Sequence, residues 1–172
     1  LHGPSRLIGA PSLEKLTAGL RRLSGGRLPD WQRWMPRAGD GLSAYHRKPQ
    51  APAAPAAKRC VYFSACVSRS MGTASCDSES RDLVEVMHSL LDKAGYQVII
   101  PHDSDARCCG MPFNSKGFPQ AAESALQALE ASLWQATEQG RLPVLCDTSP
   151  CTARMLEHFE RTMDIHEPVG FI

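Results

Sequence analysis

The sequence predicts an α/β fold: a small parallel sheet of about three strands flanked by helices, in the order β-α-β-α-β-α, behind a helical and irregular N-terminal arm. Two observations predict it. Short apolar runs rich in β-formers occur at residues 60–65, 96–101 and 142–147. Segments of helical period separate and follow them, with Gly or Pro at most junctions.

The elements follow in order. "PSLEKLTAGLRRLSGG" (11–26) is a short amphipathic helix, with Leu13, Leu16, Leu20 and Leu23 at helical spacing and Gly25 placed to end it. "RLPDWQRWMPRAGDGL" is irregular and carries Trp31, Trp34 and Met35 in a segment with no core of its own, so these side chains dock on something. "RKPQAPAAPAAKR" (47–59) reads as a Pro/Ala-rich linker. "CVYFSA" (60–65) is the first strand. "SRDLVEVMHSLLDKAG" (80–95) is a helix with Leu83, Met87, Leu90, Leu91 and Ala94 on one face and Gly95 as its C-terminal glycine. "YQVIIP" (96–101) is the second strand. "FPQAAESALQALEASLWQATEQG" (118–140) is a longer helix between Pro119 and Gly140. "LPVLCD" (142–147) is the third strand, and "SPCTARMLEHFERTM" (149–163) the last helix, with Ser149 as N-cap and Pro150 at its first turn. The domains are then 1–46, a connector arm with one short helix; 47–58, the linker; and 59–172, a cysteine-rich domain.

The 172 residues suffice for about one domain of ordinary size. No apolar run approaches the roughly 18 residues a membrane helix needs, and the first residues lack the pattern of a secretion signal. A start at Leu1 suggests a piece of a longer protein or a processed chain. Charge is uneven: residues 1–58 hold 10 Lys and Arg against 3 Asp and Glu, and the remainder 9 against 15. A basic arm could meet nucleic acid. Missing aromatic and Gly-rich recognition motifs favour instead a linker that touches other parts of a larger protein.

Seven cysteines in this length, without a secretion signal, point to thiol, metal or iron–sulfur chemistry rather than a disulfide scaffold. Cys66 follows the first strand, Cys108 and Cys109 follow the second, Cys146 ends the third and Cys151 opens the next helix. In a parallel sheet all C-terminal strand ends lie on one edge, the edge where open α/β sheets bind ligands. Five cysteines distant in sequence are therefore expected to converge on one rim. Cys151, near a helix N-terminus, is expected to be a thiolate, and Gly110 to let the chain approach a bulky cofactor. Thiolates from several loops are the donors of an iron–sulfur cluster or a zinc ion. The alternative is that they are small buried hydrophobes. Cys60 lies inside the first strand and is expected to pack in the core; Cys76 sits in the "GTASCDSES" loop. The six histidines form no ligand-spaced pair, and His102 lies nearest the rim. No Ser/His/Asp set, phosphate loop or dinucleotide fingerprint is present. Thiol–disulfide exchange by Cys108 and Cys109 is disfavoured, because a vicinal disulfide is strained and no redox C-x-x-C occurs.

Three segments, "YFSACVSRSMG", "RCCGMPFNSKGF" and "VLCDTSPCTARM", in this order resemble the cysteine-rich CCG domain. That domain occurs in heterodisulfide reductase, in the iron–sulfur component of glycolate oxidase and in lactate-utilisation iron–sulfur proteins. The chain is most similar to the C-terminal iron–sulfur region of bacterial FAD-linked D-lactate dehydrogenases. "LRRLSGGRLPDWQRWMPRA" is similar to the connector between the ferredoxin-like motifs and the CCG domain there. The resemblance covers most of residues 5–160. It implies electron transfer: a flavin domain oxidises a 2-hydroxy acid and iron–sulfur centres pass the electrons on. By resemblance, Cys66, Cys108, Cys109 and Cys151 match ligands of a 4Fe-4S cluster, with Cys146 and Gly110 beside them; some members bind zinc instead. The implied partners are the FAD-binding and ferredoxin-like domains of the same parent chain and a quinone or cytochrome acceptor, with no nucleic acid and no transmembrane segment. The implied location is the cytoplasm, or peripherally on the inner membrane. Two departures stand out. The family pattern often ends in C-x-x-C, whereas Thr148 occupies the first of those positions here, with Cys146 further back. The family also usually carries two CCG repeats, and this chain contains the first alone.

Overall fold

The structure, a computed structural model, describes residues 9–42, 45 and 58–171. The linker expected at 47–58 lies outside the described residues except for Lys58.

The chain forms the expected α/β sheet, with a fourth strand. In chain order the elements are α1 (Ala10–Leu23), β1 (Pro36–Ala38), β2 (Lys58–Phe63), α2 (Cys66–Ser70), β3 (Met71–Ala74), α3 (Leu83–Lys93), β4 (Tyr96–Ile99), α4 (Met111–Ser115), α5 (Pro119–Ala136), β5 (Val144–Cys146), α6 (Ser149–His158), β6 (Ile165–His166) and α7 (Pro168–Phe171). A 3-10 turn covers Ser104–Ala106. The main sheet runs β4-β2-β5-β6, and all its pairs are parallel. β1 and β3 make a separate antiparallel pair. β1, β3 and β6 were not anticipated; at two to four residues each they leave no periodic signal.

β2 is one of the two interior strands, and Cys60 to Phe63 are buried on both faces, as parallel strands covered by helices must be. Alternation sorts its side chains. Val61 and Phe63 join Val144 and Cys146 in a core under α5 and α6. Cys60 and Tyr62 join Leu145 in a second core under α3, which Leu42 of the connector completes. The buried face of α3 is Val84, Met87 and Leu91, while Leu83 and Leu90 are 45% and 40% exposed. Met87 and Leu91 are buried as expected, whereas Val84 takes the place expected for Leu83. On α1 the expected apolar stripe is largely uncovered, with Leu16, Leu20 and Leu23 exposed. Trp31 and Met35 are half-buried, but Trp34 is exposed.

Helix ends also differ in detail. Gly95 follows the α3 C-cap at φ 81°, as expected for a C-terminal glycine. α5 instead stops at Ala136, and the left-handed conformation of Glu138, Gln139 and Gly140 carries the chain out of the helix. Thr148 rather than Ser149 is the N-cap of α6.

The connections place the site. From β2 the chain crosses by α3 to β4 on one side; from β4 it crosses by α5 to β5 on the other. The loops leaving β2 and β5 therefore depart toward opposite faces at the C-terminal edge, the switch point of the strand order.

Candidate functional site

The expected rim cysteines all sit in segments that follow the C-terminal ends of β2, β4 and β5 or end β5 itself. Cys66 is the first residue of α2, two residues past the turn that leaves β2. Cys108 and Cys109 precede α4. Cys146 ends β5, and Cys151 is the third residue of α6. All seven cysteines of the chain are free thiols.

The five sulfurs form a run of neighbours. Cys66 and Cys108 interact, and Cys108 also interacts with Cys109. The Sγ atoms of Cys109 and Cys151 lie 3.0 Å apart, and Cys151 hydrogen-bonds Cys146 as well. Backbone amides add to the run: the Gly110 N–H donates to Cys108 Sγ at 3.4 Å. Strand parity explains the membership. Cys146 shares a face with Phe63 and so meets Cys109 and Cys151, whereas Cys60 points to the opposite core, where burial raises its thiol to about 11. Cys76 and His102 are exposed.

The protons are unevenly distributed. The hydrogen bond with Cys151 lowers Cys109 to about 6 against the opposing effect of burial, helped by the Met111 amide and the Arg154 guanidinium. The bond with Cys151 likewise lowers Cys146. Cys151 is raised by its hydrogen bonds with Cys109 and Cys146, and burial raises Cys108. The expectation of a Cys151 thiolate is thus corrected. Flanked by two sulfurs, Cys151 stabilises both by keeping its proton, and the thiolate character passes to Cys109, ahead of the Met111 amide.

Gly110 has a packing reason that was not anticipated. It adopts φ 81° as the N-cap of α4, and a Cβ there would stand 2.3 Å from the Ala122 carbonyl oxygen of α5. The glycine admits the close approach of α5.

Polar side chains absent from the sequence-based expectations brace the rim. Asp147 accepts from the Tyr62 hydroxyl at 2.7 Å and from the Ala65 N–H at 2.9 Å, closing the β2 and β5 turns on each other. Burial, then the Asp147 carboxylate, raises Tyr62 and keeps it a proton donor. Arg69 is buried and donates to the carbonyls of Ser64, Asp105 and Arg107. Arg154 is buried and donates from Nε to the Cys109 carbonyl at 2.8 Å. The available signals were the position of Asp147 next to Cys146 and the placing of each arginine three residues after a rim cysteine.

No family model, curated protein or solved structure matches the chain. The site is therefore read from its own donors. In kind they suit a soft metal or a cluster: sulfur only, partly deprotonated, and largely dry. Among the described residues no three His, Cys, Asp or Glu side chains are placed to hold one metal ion together. Loading a centre requires the sulfurs to turn toward a common point. For zinc the adjustment at the closest pair is small, since two thiolates on a tetrahedral ion at about 2.3 Å stand roughly 3.8 Å apart, against 3.0 Å here. Away from this rim, a cleft of about 400 Å³ between the connector and α3 is lined by Asp40, Tyr45, Arg69, Asp82, Glu85 and His88 among others.

Proposed function

We propose that this chain is an electron-transfer module of an FAD-dependent 2-hydroxy-acid (D-lactate) dehydrogenase, and that its rim cysteines ligate a 4Fe-4S cluster. The observation that carries the reading is the run of five sulfurs, from three separate loops, at the switch point of the sheet. The likeness of the three cysteine segments to the CCG domain supplies the family. Cys66, Cys108, Cys109 and Cys151 are the ligands of this reading, with Cys146 beside Cys151 as a further donor. A cluster supplies one-electron transfer. The chain's own residues bring the thiolates together, exclude water from Cys109 and Cys151, and release the Cys151 proton when that sulfur becomes a ligand. In this reading the module works as a carrier and is not catalytic alone. FAD belongs to another domain of the parent chain, a ferredoxin-like domain is the neighbouring carrier, and a quinone or cytochrome is the acceptor. The setting is the cytoplasm or the inner face of the membrane. Among the described residues no helix is long and apolar enough to cross a membrane.

A second reading, a zinc-bound or metal-free structural and docking module of the same enzyme, is favoured by one observation. The Cys109–Cys151 separation lies nearer the zinc spacing than the wider spread a cluster imposes. Anaerobic purification followed by iron, acid-labile sulfide and zinc analysis separates the two. Brown protein with stoichiometric iron and sulfide is expected. Colourless protein with stoichiometric zinc, even after anaerobic reconstitution with iron and sulfide, rejects the cluster for this chain. Cys109→Ser is expected to lose the bound centre while keeping the far-UV circular dichroism of the folded protein.

A further inference from the structure

The two helices that open at the rim share a local pattern: Cys66-Val-Ser-Arg69 begins α2, and Cys151-Thr-Ala-Arg154 lies in the first turns of α6. In a helix, residues three apart lie on one face, so each cysteine has an arginine one turn behind it. Both arginines are withdrawn from water, at 8% and 7% exposure. Neither forms an ion pair among the described residues, although Arg69 lines the same cleft as the carboxylates of Asp40, Asp82, Glu85 and Asp92. Their hydrogen bonds go to backbone carbonyls instead. Arg69 grips Arg107, the residue before Cys108, together with Ser64 and Asp105. Arg154 grips Cys109 itself. Two cations thus hold the approach to the Cys108–Cys109 turn and the turn itself, Arg69 at the Arg107 carbonyl and Arg154 at the Cys109 carbonyl.

A buried guanidinium without a counter-charge is costly, because it gives up hydration that carbonyl dipoles only partly replace. The missing anion is available in the thiolates. A zinc ion with four cysteine thiolates carries two net negative charges, and a four-thiolate iron–sulfur cluster is anionic too. Two guanidinium groups neutralise such a centre. A Cys109–Cys151 disulfide or a set of neutral thiols would leave them uncompensated. We propose that Arg69 and Arg154 are the positioning and charge-selecting residues of this rim: Arg69 fixes the chain entering the Cys108–Cys109 turn by the Arg107 carbonyl, Arg154 fixes the turn by the Cys109 carbonyl, and their charges tune the site for an anionic, polythiolate-bound centre. The inference rests on the proposed function and deepens it.

The test uses two substitutions at each arginine in the full chain. Arg154→Lys and Arg69→Lys keep the charge and lose the planar fork. Arg154→Gln and Arg69→Gln keep a neutral N–H donor and lose the charge. Zinc affinity is measured anaerobically by competition with a chromophoric chelator, and fold by circular dichroism. The Gln variants are expected to bind zinc about 10–100-fold more weakly than wild type, with the Lys variants between. A Gln variant that fails to fold beside a Lys variant that folds and loads zinc supports the same conclusion. Gln variants that match wild type, or that bind better than the Lys variants, overturn the charge role and leave the metal reading standing. Failure of the wild-type chain to bind either zinc or iron and sulfide removes both.

Discussion

At the scale of the residue, the centre of this molecule is a shared proton. Cys109 holds its thiolate because Cys151 hydrogen-bonds to it, so folding stability depends on pH through both. Cys109 falls from 9.0 to about 6. Its contribution is complete above the unfolded value of 9.0 and is lost as pH drops through about 6. Cys151 is raised, so its contribution is complete below 9.0 and is lost at higher pH. Reduced, metal-free protein is therefore expected to gain thermal stability from about pH 6 to 9 and to lose it above. In Cys109→Ser the gain should flatten. Parallel unfolding midpoints of the two proteins across that range would refute the proton assignment. Sequence position suggested Cys151 as the thiolate, because helix ends favour anions. The neighbouring sulfurs reverse that preference, and no spacing in the chain announces which two loops will touch.

At the scale of the element, backbone geometry decides more than composition. The α-β alternation was legible because 11 to 18 residues of amphipathic period in α3 and α5 are a strong signal. The side of α3 that faces the sheet was legible in part: Met87 and Leu91 were expected there, and Val84 was not. Val84, Met87 and Leu91 form the inner stripe, and Leu83 lies beside it. Met87→Ala is accordingly expected to cost about 2–5 kcal/mol and Leu83→Ala no more than about 0.5–1 kcal/mol. Urea unfolding of the two variants measures the difference, and equal losses would put Leu83 back on the inner face. Gly110 makes the same point for a turn. Its φ of 81° and the Ala122 oxygen 2.3 Å from a would-be Cβ leave no room for a side chain. Gly110→Ala should lose more than about 2 kcal/mol, combining left-handed strain with displacement of α5. A loss under about 1 kcal/mol, seen as a nearly unchanged urea midpoint, would show that the turn relaxes.

At the scale of the whole molecule, the connector is part of the fold it precedes. Pro36–Ala38 pairs with β3, the Gly39 N–H donates to the Ser70 carbonyl, Arg37 meets Asp82 at 3.0 Å, and Leu42 is fully buried against α3 and the sheet. Leu42→Ala, at a position outside every periodic segment, should cost about 2–5 kcal/mol. A scanning-calorimetry midpoint equal to that of wild type would mean that the connector only leans on the domain. Nothing in "GDGLSAYH" distinguishes such an anchor from an exposed loop leucine, because burial there comes from partners far along the chain, Val84, Met87 and Leu145 among them.

By itself the sequence determined the α/β class and the order of the three longer strands. It also placed five cysteines on one edge, since parallel strands joined by helices must all end on the same side. The tertiary structure decided which of those cysteines touch, which one keeps its proton, why Gly110 is glycine, and which buried cations hold the turn. These outcomes depend on strand parity across β2 and β5 and on the direction in which each loop leaves the sheet. Most are relations between segments far apart in the chain, such as Cys109 with Cys151 and Ala65 with Asp147, 42 and 82 residues apart, and only packing settles them.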